Sequence, residues 1–213
     1  MNRKLIFIIL GVVAVLVFGY SFLWMKSGFI DYRPQTDKAV KPTEIFSQST
    51  DEVPGWKTYR DDKSGFEFKY PENLKLIKEG NKVILNHFIP YENYGDCDMM
   101  GGEQLYKTLD DFNISFEVVN QKLSLNYIDG EYSAGMLNGS WAYEGAEGCG
   151  HSTYHFSIGE NKTLVIQRAA TQALSGLSTL WDLEKILKIP GVISKEESNK
   201  LFNEILSTFK FTN

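Results

Sequence analysis

No stretch constrains the fold more than Ser64–Pro71, which reads Ser-Gly-Phe-Glu-Phe-Lys-Tyr-Pro. Successive strand side chains point to opposite faces, so Phe66, Phe68 and Tyr70 share one face and Gly65, Glu67 and Lys69 the other. Aromatic residues favour strands with one buried side. Pro71 has no N–H to donate and ends the ladder. The stretch specifies a half-buried strand near the start of a folded domain and carries no chemistry of its own.

The same alternation recurs downstream. Lys82–Phe88 and Phe112–Val119 read as strands, as do Ala134–Tyr143 and Thr153–Ile158. The Gly159-Glu160-Asn161-Lys162 turn joins Thr153–Ile158 to Leu164–Gln167 as a hairpin. Leu123–Ile128 fits either a strand or a helix. The period then changes. Thr179–Lys188 places Leu180, Leu183, Ile186 and Leu187 at helical spacing, stopped by Pro190-Gly191. Ser194-Lys195-Glu196-Glu197 has the form of a capping box, in which Ser and Glu side chains satisfy each other's backbone amides. An apolar stripe follows over Ser194–Ser207, and Phe209-Lys210-Phe211 closes as a short strand. Strands in the middle and helices at the end predict an α+β domain, an antiparallel sheet with packed helices. Alternating βαβ units are absent, which argues against a parallel nucleotide-binding sheet.

The N-terminal region is different material. Leu5–Trp24 holds no charged residue, and about 20 apolar residues is the length of a spanning helix. Arg3 and Lys4 before it favour a cytoplasmic N-terminus. No small-residue cleavage site follows, so residues 1–26 are expected to be a cytoplasmic tip and a single transmembrane anchor, Leu5–Trp24. Residues 27–53, polar and containing Pro34 and Pro42, read as a linker. Residues 54–213 form the domain, placed outside the cytoplasm at the inner membrane. The chain carries a net charge of −5; setting Arg3, Lys4 and Lys26 aside leaves 19 Lys and Arg against 27 Asp and Glu. So acidic a domain is a poor nucleic-acid binder and gains nothing from an anionic lipid surface.

Two segments carry a family resemblance. Tyr59–Pro71, Tyr-Arg-Asp-Asp-Lys-Ser-Gly-Phe-Glu-Phe-Lys-Tyr-Pro, resembles the opening of PsbP-like domains, and Leu201–Phe211 is similar to their closing helix and strand. The resemblance implies an α-β-α fold whose members bind or assemble rather than catalyse. It supplies no active site.

Few residues offer chemistry. Cys97 and Cys149, far apart in an extracytoplasmic domain, fit one structural disulfide. Cys149, His151, Thr153 and His155 share one strand face. His151 and His155 are imidazole ligands for zinc or copper, but positions i and i+4 of a strand lie about 13 Å apart. Asp96 and Asp98 sit at positions 1 and 3 of a calcium-loop pattern that fails at position 12, where Lys107 replaces the glutamate. Paired carboxylates such as Asp110-Asp111 read as solvated turn residues. The aromatic excess is first of all core, with an exposed patch for a sugar or peptide as its second use. No cofactor or nucleophile motif stands out. The expected function is a non-enzymatic binding or assembly module with a protein partner. The rival is a surface-tethered hydrolase or metal-dependent enzyme using the Asp96/Asp98 and Cys149/His151 loops.

Overall fold

The computed structural model describes residues 54–95, 97, 104–178 and 180–212. The expected anchor Leu5–Trp24 and linker 27–53 lie outside these residues. Among the described residues, no helix is long and apolar enough to cross a membrane.

Ten strands dominate the described residues: β1 (Trp56–Asp61), β2 (Phe66–Pro71), β3 (Lys75–Glu79), β4 (Lys82–Asn93), β5 (Tyr106–Val119), β6 (Gly130–Ala134), β7 (Leu137–Ala146), β8 (Cys149–Ser157), β9 (Thr163–Ala170) and β10 (Lys210–Phe211). Seven form an antiparallel sheet in the order β3-β4-β5-β9-β8-β7-β6, and β1-β2-β10 form a second, smaller one. Among the described residues, helical structure is limited to a 3-10 turn (Gln172–Leu174), the four-residue α1 (Leu183–Ile186) and the 13-residue α2 (Lys195–Ser207). The expectation of an α+β domain with helices packed on the sheet is therefore wrong. The domain is mostly antiparallel β, and a second sheet covers much of the face that helices were expected to cover.

The reasons are local. The period of Thr179–Lys188 supports only one turn of helix, capped by the Asp182 carboxylate accepting from the Lys185 amide. The expected single strand Ala134–Tyr143 is a hairpin, β6 and β7, turned at Gly135-Met136. Gly135 has φ +57 and lies so close to the Ser207 carbonyl that a Cβ would meet it at 2.6 Å, a position open to glycine alone. Leu123–Ile128 is neither strand nor helix. It belongs to a strap that leaves β5 and returns to β6. Its first part is held by the Thr163 hydroxyl, which donates to the Gln121 carbonyl and accepts from the Leu123 amide. Its far part is held by the Tyr127 hydroxyl donating to the Tyr143 carbonyl.

Phe66 and Phe68 do what their alternation implies. Both are buried, and Phe68 packs at a tilt against Phe116 of the large sheet and stacks on Phe209, at ring-centre distances of 4.7 and 5.0 Å. Full burial of one such ring is worth about 1.5–3 kcal/mol. The ladder pairs Lys210 with Glu67 and Phe211 with Phe66, so the two aromatic stretches do share a sheet. Beside the small sheet, α2 starts at the predicted capping box, with Ser194 and Glu197 each satisfying the other's amide. It lays Phe202 against Tyr154 and beneath the Arg168 guanidinium, which also donates to Ser198 and Asn199.

The central pair outruns its neighbours. β3 pairs with β4 only over Lys82–Asn86, and β9 pairs with β5 only over Ile114–Val119. His87–Asn93 and Tyr106–Phe112 thus continue as a two-stranded extension, and a bulge at Asp111 marks its root.

Candidate functional site

Cys97 and Cys149 form the expected disulfide, with Cα atoms 5.4 Å apart. It ties the connection after β4 to the first residue of β8. The cysteine sulfurs are therefore committed to the staple and serve as neither nucleophile nor ligand.

The two candidate histidines stand apart along β8. Asp96 and Asp98 lie outside the described residues. His151 sits directly across from Glu144 on β7, with Nε2 3.6 Å from a carboxylate oxygen. His155 lies two positions further along the same face. Its Nδ1 is buried and meets no hydrogen-bond partner among the described residues, and burial pushes its pKa below the usual histidine value. Among the described residues, no three His, Cys, Asp or Glu side chains gather as a metal site requires. Concavities lie around Lys63, Asn81, Asn120 and Lys162, and neither histidine lines them.

What the fold builds with most care is the end bearing the β4–β5 extension. Ile89 and Leu109 of the extension pack with Ala173, Leu174 and Ile186 into a second hydrophobic cluster, joined by Tyr91, Trp181 and Leu183. Gln172, almost fully buried, binds this segment to the β7–β8 turn: its amide nitrogen donates to the Glu147 carbonyl at 3.0 Å, and its amide oxygen accepts from the Trp181 indole at 3.3 Å. Asn93 closes the extension, donating to the Tyr91 and Thr108 carbonyls and accepting from the Gly95 amide. The disulfide adds a covalent tie. On this rigid base stand exposed apolar side chains: Tyr94 at 61% and Leu180 at 75% exposure, with Leu105, Tyr106 and Leu177 near half. The turn holds one further oddity. Glu147 and Gly148 both have positive φ, 52° and 82°, the pattern of a two-residue hairpin that favours Asn-Gly. A glutamate is held there instead, and its side chain is exposed.

Asp111 is the polar group that the sequence concealed. It is not a solvated turn residue but lies inside β5, its side chain 0% exposed. The extra residue of the bulge turns its carboxylate inward. One oxygen lies 2.6 Å from His87 Nδ1 and the other accepts from the Ile193 amide at 2.7 Å. With an acceptor facing Nδ1, that nitrogen carries the hydrogen and the tautomer is fixed. The unit joins β4, β5 and the segment entering α2.

No family model matches the chain, and no curated protein does. Among solved structures, a protein of Bacteroides thetaiotaomicron VPI-5482 is similar with a TM-score of 0.40 and 11% identity, over 74% of this chain and 48% of that one. The chain thus spans about half the length of that protein. A likeness of this degree bears on neither fold nor function.

Proposed function

We propose that the chain is a membrane-anchored, extracytoplasmic binding or assembly module without catalytic activity, and that it meets a protein partner through the end that carries the β4–β5 extension. One observation carries this reading: five large apolar side chains stand exposed on a base fixed by a disulfide, a second core and buried amides. Exposed apolar groups held on well-tied backbone are what recognition sites use. The likeness of the two end motifs to PsbP-like domains leans the same way. The rival enzyme reading draws on Asp96, Asp98, Cys149 and His151, and the sulfur of Cys149 is already bonded to Cys97.

The test is recovery of partners from detergent-solubilised membranes of the source organism, using the tagged full-length chain and its Tyr106→Glu/Leu180→Glu variant. Both positions are solvent-facing, so the variant should fold. The expected result is a protein recovered reproducibly with the wild type and lost with the variant. Recovery of nothing, or equal recovery with both, would refute the reading.

A further inference from the structure

Four separate pieces of chain meet where a turn of the small sheet reaches one end of the large sheet. Lys63 and Ser64 belong to the turn joining β1 to β2, Asn81 to the turn joining β3 to β4, and Lys162 to the turn joining β8 to β9; Asn120 follows the last residue of β5. With Val118 they line a cavity of about 140 Å³, space for a group the size of roughly four or five water molecules. The backbone around it is tied down. The Asp61 carboxylate accepts from the Lys63 and Ser64 amides, the Ile158 amide donates to the Lys162 carbonyl, and the Thr163 hydroxyl holds Gln121 and Leu123 just after Asn120. The side chains that face the cavity have no such ties. Among the described residues, no hydrogen bond or ion pair engages the Lys63 or Lys162 ammonium, the Asn81 or Asn120 amide or the Ser64 hydroxyl. By contrast, Lys78 is engaged by Asp61 and Lys82 by Gln167.

The chemistry of these groups selects a ligand. Two ammonium groups line the cavity and, among the described residues, no carboxylate does. It therefore suits a negative group, which Lys binds as a point charge. Each Asn presents a carbonyl oxygen as well as an NH2 group, and that oxygen accepts only from a donor. A bare oxyanion has no donor to give. A ligand with hydroxyls beside its charge satisfies both halves of the amide. An adjoining concavity shares Asn120 and Lys162 and adds the Asn161 amide and the Glu160 carboxylate, two further acceptors for hydroxyls, beside the apolar Ile158. We infer that the two concavities together bind a sugar carrying an anionic group, with the charge at Lys63 and Lys162 and the hydroxylated ring at Asn120, Asn161 and Ile158. None of these residues belongs to the β4–β5 extension, so the site is separate from the proposed protein-binding surface and stands or falls without it.

Saturation-transfer NMR on the full-length chain in nanodiscs of zwitterionic lipid, with empty discs as the blank, reads binding from the ligand's own signals. The probes are glucuronate and glucose 6-phosphate, which have both charge and hydroxyls, glucose, which has hydroxyls alone, and acetate, which has charge alone. At least one of the two anionic sugars should bind about tenfold more tightly than glucose and acetate, and the tighter of the two identifies the anionic group as carboxylate or phosphate. Lys63→Gln/Lys162→Gln removes two charge-assisted contacts, each worth about a factor of ten, and should bring that sugar down to the level of glucose. Asn81→Ala/Asn120→Ala should weaken it about tenfold. All four side chains are solvent-exposed, so both variants should fold, with circular dichroism unchanged. Lys188→Gln, exposed and outside the site, should bind as the wild type does. The inference is overturned if neither anionic sugar binds, if glucose or acetate binds equally well, or if either double variant binds like the wild type.

Discussion

Removing the Asp111 carboxylate should be the most informative single perturbation of this fold. The group is wholly buried and makes two charge-assisted hydrogen bonds, to His87 Nδ1 at 2.6 Å and to the Ile193 amide at 2.7 Å. Such bonds are worth about 1.5–3 kcal/mol each, and a stranded buried donor costs about 1–3 kcal/mol. Asp111→Ala deletes both bonds and leaves the Ile193 amide unpaired, so a loss of about 3–5 kcal/mol is expected. Asp111→Asn keeps the shape. Its oxygen can still accept from Ile193, while its NH2 group faces the imidazole, which becomes the acceptor in the other tautomer. Only the charge assistance is lost, about 1–2 kcal/mol. Guanidinium unfolding followed by tryptophan fluorescence reads these differences as shifts in midpoint at constant slope. His87→Phe, alone and with Asp111→Ala, completes a double-mutant cycle and should return a coupling of about 1–2 kcal/mol. If Asp111→Ala falls within 1 kcal/mol of wild type, or if Asn costs as much as Ala, the bridge between β4, β5 and α2 is not what holds this corner.

Other expectations follow from single features. Replacing both cysteines by serine opens a loop with a sequence separation of 52, which should lower stability by about 4 kcal/mol in the chain-entropy account; an unchanged melting temperature would contradict it. His155 has a folded pKa depressed by burial, so the unfolded chain binds more protons wherever the two differ. Stability should therefore be full above the ordinary histidine value of about 6.5 and fall as pH drops through the depressed folded value, and a His155→Asn variant should lose that slope in denaturation measured across the window. Glu147→Gly should raise stability by about 0.5–1 kcal/mol by relieving the left-handed backbone at φ 52, measurable as a higher unfolding midpoint; a loss would mean that the glutamate side chain holds the turn.

Where the sequence was legible, short-range rules acted alone. Phe66–Pro71 needs only its own alternation, the Gly159–Lys162 turn only its composition, and Ser194–Glu197 only two side chains and two amides. The covalent pair was readable because only two cysteines exist. β3 was not, because Lys75-Leu-Ile-Lys-Glu is an edge strand with little to bury and charges at both ends. The turn at Gly135-Met136 vanished inside what looked like one long strand. Burial of Asp111 depends on a register shift between β4 and β5, and no periodicity within β5 announces it. The apolar end was hidden for a related reason. Its pieces come from three segments roughly 50 and 30 positions apart, and Gln172, the residue that joins two of them, is an unremarkable glutamine until its neighbours are known.

The small sheet sets the timetable by which this domain can close. Thr208 and Lys69 exchange hydrogen bonds across 139 positions, and Phe209 fills the space between Phe66, Phe68 and Phe116. A chain made from its N-terminus carries two of the first rings of its core for nearly the whole of synthesis before the residue that seals them emerges. Until then β2 has one free edge and an open aromatic face, which is what chaperones grip and what aggregation exploits. Loss of Phe209–Phe211 would therefore be felt first as a failure of biogenesis, in yield and solubility, before any change in the finished molecule could be measured.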